Sequence, residues 1–195
     1  MTEGLLKAAE KYSLVSKPAK KDAPVRKKRR DKVKKPDIRI IGIDPGLAST
    51  GWGVVDLSNG MPKYIAHGCI ETSAEESGPE RLAHIYQSFL KVLRKYKPTE
   101  AAMEALYFGR NTSSAMPVAE ARGVLLMSLG SRGLPVRELA PNSIKKAVTG
   151  AAKASKKQVQ EMVRLILDLK ETPKPDHAAD ALGAAIYVAH NSSNV

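Results

Sequence analysis

Ile38-Arg39-Ile40-Ile41-Gly42-Ile43-Asp44-Pro45-Gly46 is a short, β-branched run closed by a turn. The apolar residues before Asp44 do not alternate with polar ones, so the segment predicts a strand buried on both faces. Asp-Pro-Gly then halts it. An aspartate at the end of a buried strand is the first candidate for chemistry. Moving forward, Gly51–Leu57 and Lys63–Glu71 read as two further strands, joined by a Ser58-Asn59-Gly60 hairpin turn. Leu82, Ile85, Tyr86, Phe89, Leu93 and Tyr96 recur at helical spacing up to Pro98. Ala101-Ala102-Met103-Glu104-Ala105-Leu106 is another brief buried strand, with an acid in its middle. A helix rich in small residues follows, from near Asn111 to Ser131, and Pro117 should bend it or displace its start. Leu134–Leu139 makes a fifth strand, and Pro141 opens a short helix ending near Gly150. Val159, Met162, Val163 and Ile166 mark the next helix, after an Ala151–Ser155 connection. The last helix begins after Pro173 and Pro175, with Asp176 as its expected N-cap, and buries Ala178, Ala181, Leu182, Ala185, Ile186 and Ala189. There is no internal repeat. The class this predicts is α/β, a five-stranded mixed sheet flanked by helices.

Upstream of Ile38 the character is different. The chain of 195 residues carries a net charge of +12. Residues 1–36 hold 13 Lys/Arg against 4 Asp/Glu, a net of +9, which leaves +3 for residues 37–195. Arg26–Arg30 is an unbroken basic run. Such a segment buries too little apolar surface to fold alone, so residues 1–36 are expected to form a disordered basic arm. It reads either as a solubilising tail or as a polyanion tether that releases condensed counterions; a targeting signal ranks below both. The single cysteine, Cys69, leaves no internal disulfide and no multi-cysteine zinc site, and a reducing interior is the expected compartment. No apolar run is long enough to span a bilayer, and the N-terminus lacks a secretory signal pattern.

The acids carry the functional reading. Asp44 and Glu104 should emerge near one edge of the sheet. Two carboxylates side by side in a dry setting repel by a few kcal/mol. No buried Arg or Lys is evident in the sequence beside either, and a divalent cation would relieve them. His177 and Asp180, at i and i+3, share a face of the last helix, which can aim both at the strand ends. Hard oxygen donors of this kind suit Mg²⁺ or Mn²⁺, and two such ions suit in-line phosphodiester displacement. Taken singly, each residue also has a plainer reading: a turn former for Asp44, an edge residue for Glu104, ordinary helix positions for His177 and Asp180.

Together these motifs resemble the RuvC crossover junction endodeoxyribonucleases. The resemblance rests on Ile41-Gly42-Ile43-Asp44-Pro45-Gly46, Thr50-Gly51-Trp52-Gly53-Val54, Glu104, Ala121-Arg122-Gly123, Ala140-Pro141-Asn142, Lys145–Gly150, Lys156–Gln160 and Asp176–Leu182. It covers roughly residues 38–190 and implies that residues 37–195 are an RNase H-like nuclease domain. It also implies a homodimer that makes paired, metal-dependent nicks in like-polarity strands of four-way DNA junctions, in recombination and repair. The implied cofactor is Mg²⁺, with Mn²⁺ able to substitute, at two ions per subunit during catalysis. A branch-migration helicase of the RuvA-RuvB type would act with it, in the bacterial cytoplasm near the nucleoid. By motif position Asp44, Glu104, His177 and Asp180 are the catalytic residues, three of them metal ligands, while His177 stays open between base, ligand and phosphate contact. Tyr107 and Phe108 are candidates to stack on an unpaired base, with core packing as the alternative. Arg110, Arg122, Lys145, Lys146, Lys153, Lys156 and Lys157 are candidate phosphate contacts, or else solvated surface charges. The basic arm is not part of the usual family pattern.

Three rivals remain. The Asp44–Gly51 segment also resembles the first phosphate loop of actin-like ATPases, which need a second loop and a second domain. A junction binder without catalysis would not need the four site residues. An RNase H-like nuclease acting on RNA is disfavoured by the basic motifs after Ala140.

Overall fold

The structure, a computed structural model, describes residues 38–106 and 112–192. The basic arm proposed for residues 1–36 lies outside them, as do Tyr107, Phe108 and Arg110.

Among the described residues, five strands and five helices follow in the expected order: β1 (Ile38–Asp44), β2 (Ser49–Ser58), β3 (Met61–Glu71), α1 (Gly78–Tyr96), β4 (Glu100–Glu104), α2 (Thr112–Gly130), β5 (Val136–Leu139), α3 (Pro141–Thr149), α4 (Lys156–Ile166) and α5 (Asp176–Ser192). The sheet order is β3-β2-β1-β4-β5. β1, β2 and β3 are antiparallel neighbours, while β4 runs parallel to β1, and β5 parallel to β4. Asn59 and Gly60 make the β2–β3 turn, both with positive φ (53° and 75°). That is the backbone a two-residue hairpin demands and the reason an Asn-Gly pair sits there.

Alternation along the inner strands separates two apolar layers. Ile40 and Ala102 face a layer completed by α3, α4 and α5, with Leu139, Val159, Val163 and Leu182 among its members. Ile41, Ile43, Ala101 and Met103 face the other, with Ile85 and Phe89 of α1 and Leu125 of α2. β1 is therefore dry on both sides, as its unbroken apolar run predicts. Of the two effects expected of Pro117, the start of the helix is not displaced to it: α2 is continuous from Thr112 to Gly130 with Pro117 inside it. In the second turn a proline forfeits one N–H bond, which the helix tolerates here without a break.

α5 is buried nearly all round, with ten residues from Ala178 to Ala189 in the interior. Small residues on both partners let it lie almost on the backbone of the sheet. A Cβ added at Gly42 would collide with the carbonyl of Ala181, and one at Gly51 with the carbonyl of His177. Glycine is required at both for close approach. Asp176 departs from its expected role as N-cap: it is already in the first turn of α5, and its carboxylate reaches sideways to α4.

Candidate active site

Strand register brings the first two acids together. Ile43 pairs with Met103 in the parallel β1–β4 ladder, so the next residues, Asp44 and Glu104, end neighbouring strands side by side. Both share a face with Gly42 and Ala102, the face that α5 covers. Gly51 stands opposite Asp44 on β2. Because Gly51 has no side chain, the first turn of α5 comes down beside Asp44. His177 Nδ1 consequently lies 2.6 Å from Asp44 Oδ2, where a carboxylate acceptor makes Nδ1 the donor. Asp180 follows one turn later.

All three acids are half-shielded, the side chains of Asp44 and Asp180 keeping 20% and 26% of their exposure. Burial pushes the Asp44 carboxyl above its ordinary range; the His177 hydrogen bond and charge pull it back, and the Asp180 charge pushes it up again. Glu104 is raised in the same way, by burial first and then by the charges of Asp44 and Asp180, with Lys145 and Lys156 opposing. The crowding expected of converging carboxylates is therefore present on this edge.

Two clefts meet at Glu104. One, of about 120 Å³, is lined by Asp44, Pro45, Glu104 and Arg122 among others. The other, of about 230 Å³, is lined by Glu104, Lys145, Lys156 and Asp180 with Pro141, Ile144 and Val159. The oxygen donors suit a hard divalent cation. Among the described residues, however, no three His, Cys, Asp or Glu side chains form a finished ligand set. Basic partners engage the outer acids instead. His177 holds Asp44, and Lys156 Nζ lies 3.2 Å from Asp180 Oδ2 and 3.4 Å from Asp176 Oδ2. The Lys156 side chain is half-exposed, and it pairs with Asp180 and Asp176, not with Asp44 or Glu104. Lys156 is 24 positions from Asp180 on a different helix, and only the packing of α4 on α5 reveals the pairing.

The basic candidates separate. Lys145 and Lys156 line the cleft of Glu104 and Asp180. Arg122 lines the cleft of Asp44 and Glu104 while pairing with Glu138 at 2.6 Å. Lys146 is exposed on α3, and Lys157, with Lys153, borders a separate cavity of about 580 Å³ between α3 and α4. Sequence reasoning missed Gly42 and Gly51 as contact points, although small residues at alternate strand positions opposite an alanine-rich helix are a usable signal.

The mixed sheet with helices on both faces, carrying acids at the ends of its two central parallel strands, is an RNase H-like domain. Comparison with known proteins makes this particular. The family described as crossover junction endodeoxyribonuclease RuvC matches residues 40–190. The chain is 56% identical over 147 residues to a Treponema denticola protein of that name, covering 75% of this chain and 83% of that one. A Thermotoga petrophila protein of the same name is 46% identical over 148 residues, covering 76% and 90%. A solved structure of Thermus thermophilus RuvC in complex with a Holliday junction substrate superposes with a TM-score of 0.76 at 35% identity, covering 80% of this chain and 96% of that one. The chain belongs to the RuvC crossover junction endodeoxyribonuclease family.

Proposed function

We propose that the chain is a hydrolase that resolves four-way (Holliday) DNA junctions during recombination and repair, as a structure-selective, Mg²⁺-dependent endonuclease. The observation that carries this is the side-by-side placement of Asp44 and Glu104 on the face crossed by the helix bearing His177 and Asp180. Asp44, Glu104 and Asp180 are the groups that would hold Mg²⁺, or Mn²⁺ in its place, at two ions per subunit. Such ions, when bound, activate water and neutralise charge developing on the phosphate. His177, with Nδ1 engaged by Asp44, has Nε2 as the ring atom that can exchange a proton or contact a phosphate oxygen. Lys145, Lys156 and Arg122 line the two clefts and supply positive charge for the DNA backbone, and the exposed Lys146 and Lys157 are assigned to phosphates further from the site. Tyr107, Phe108 and Arg110, which follow β4 in the sequence, are assigned to unpaired bases and flanking phosphates at the branch point.

Paired nicks in strands of like polarity call for two sites, hence a homodimer. Met116 and Met127, each 58% exposed, lie eleven residues apart on α2 and so on one stripe of it, which supports that helix as the subunit contact. A branch-migration helicase completes the assembly, in the cytoplasm with the chromosome. Among the described residues no helix is long and apolar enough to cross a membrane.

The test is a labelled synthetic four-way junction against a linear duplex of the same sequence, with Mg²⁺ and then with EDTA. Selective, Mg²⁺-dependent cutting is expected, abolished by Asp44→Asn, Glu104→Gln or Asp180→Asn with junction binding retained. Cutting that survives all three substitutions would overturn the assignment.

A further inference from the structure

Three residues at two helix starts form a network apart from the Asp44–His177 contact. Lys156 is the first residue of α4, Asp176 the first of α5, and Asp180 lies one turn further along α5. The Lys156 ammonium bridges the two aspartates at 3.2 and 3.4 Å. Gln160, one turn along α4, donates from Nε2 to the other oxygen of Asp176 at 2.9 Å and fixes that carboxylate in place. Lys156 lines the same cleft as Glu104 and Asp180, so its positive charge adjoins acids that would hold a cation. An ammonium on Asp180 and a divalent ion on the same carboxylate repel each other, so each weakens the hold of the other. Asp176, the more exposed of the two aspartates at 62% against 26%, lines neither of the two clefts.

We propose that Lys156 is a built-in counter-ion that competes with divalent cation for Asp180, and that Asp176 is the positioning residue onto which it withdraws when the cation binds. This rests on the reading of Asp44, Glu104 and Asp180 as cation ligands. The arrangement keeps the DNA-free site from holding cation tightly while leaving the ammonium at the rim of the cleft, where phosphate can take it up.

Removing the two paired charges, Lys156 and Asp176, should have effects of opposite sign on cation affinity. Mn²⁺ affinity is measured by calorimetry and by electron paramagnetic resonance on the full-length, DNA-free protein, with melting curves to verify folding. Lys156→Met should bind Mn²⁺ about two- to five-fold tighter, the range for removing a partly exposed ion pair. Lys157→Met removes an equal charge one residue away and should change the affinity far less. Asp176→Asn should weaken binding about two-fold, because Lys156 then rests on Asp180 alone. In a Lys156→Met background Asp176→Asn should have no further effect, since it acts through the lysine. Unchanged or weaker binding by Lys156→Met, an equal gain from Lys157→Met, or an undiminished Asp176→Asn effect in that background each overturns the proposal. Asp44→Asn and Asp180→Asn separate the levels. If both bind Mn²⁺ as well as the unaltered protein, the ligand assignment has failed and the proposal falls with it. If both bind weakly while Lys156→Met gains nothing, only the counter-ion role is lost.

Discussion

Gly51→Ala tests whether the site is set by the approach of α5 to the sheet. Gly51 faces Asp44 across the β1–β2 ladder, and a Cβ there would run into the backbone carbonyl of His177 and stand 2.9 Å from its Cβ. The obstacle is the main chain of a buried helix and cannot rotate away, so the first turn of α5 must lift. Forcing a methyl into such a contact costs about 1–3 kcal/mol. For a domain of this size, each kcal/mol lowers the melting temperature by about 2–4 °C, giving a fall of about 2–12 °C. The loss in function should be larger than the loss in stability. Lifting the turn parts His177 from Asp44, now 2.6 Å apart, and moves Asp180 away from Glu104. Misplacing reacting groups by about 1 Å commonly costs about 10²-fold in rate. Single-turnover cleavage of a four-way junction, scored at a temperature where the variant is fully folded, should therefore fall about 10²-fold, while junction binding in EDTA changes little. Wild-type cleavage and melting in Gly51→Ala would refute the reasoning.

Other outcomes follow from the same geometry. The Glu104 carboxyl is raised in the folded protein, so the fold binds its proton more tightly than the unfolded chain does. Its ionisation is therefore destabilising, a penalty absent below the ordinary value of 4.5 and growing as pH rises through the elevated folded value. Without divalent ions, Glu104→Gln should melt higher than the wild type at neutral pH, with the gain vanishing in acid; a gain independent of pH would contradict this. Millimolar Mg²⁺ should raise the melting temperature of the wild type but not of Asp44→Asn, measured by differential scanning fluorimetry. Arg39 grips Asp56 through two nitrogens at 2.6 and 2.8 Å and donates to the Tyr96 carbonyl, joining β1, β2 and the end of α1. Asp56→Ala strands that guanidinium and should cost on the order of 2–4 kcal/mol in urea unfolding, with a negligible loss counting against the pair. Removing residues 1–36 should flatten the salt dependence of DNA binding while sparing junction preference; an unchanged slope in a gel-shift titration would deny the arm an electrostatic role.

Asp44 and Glu104 were legible in the sequence because each acid interrupts or ends a short apolar strand, a local pattern with few explanations. His177 and Asp180 were legible because helical spacing fixes which residues share a face. What could not be read locally was the contact between elements. That Gly42 and Gly51 serve as the floor for α5 depends on which strands neighbour β1, and no residue within either strand declares it. Lys156 looked like a surface lysine at a helix start, and its pairing with Asp180 depends on how α4 lies across α5. Asp176 fitted the residue preference of an N-cap, but a neighbouring helix offered its carboxylate better partners than its own backbone did.

α5 carries two of the four proposed catalytic side chains on an element that touches water along only a narrow strip. Unravelling it alone would expose the alanine-lined interior and the glycine floor together, which amounts to melting the domain. Its amide hydrogens should thus exchange with solvent only through whole-molecule opening, among the slowest in the protein. Heat should then silence nuclease activity in the same narrow interval in which the protein denatures, with no softened yet folded form at lower temperature.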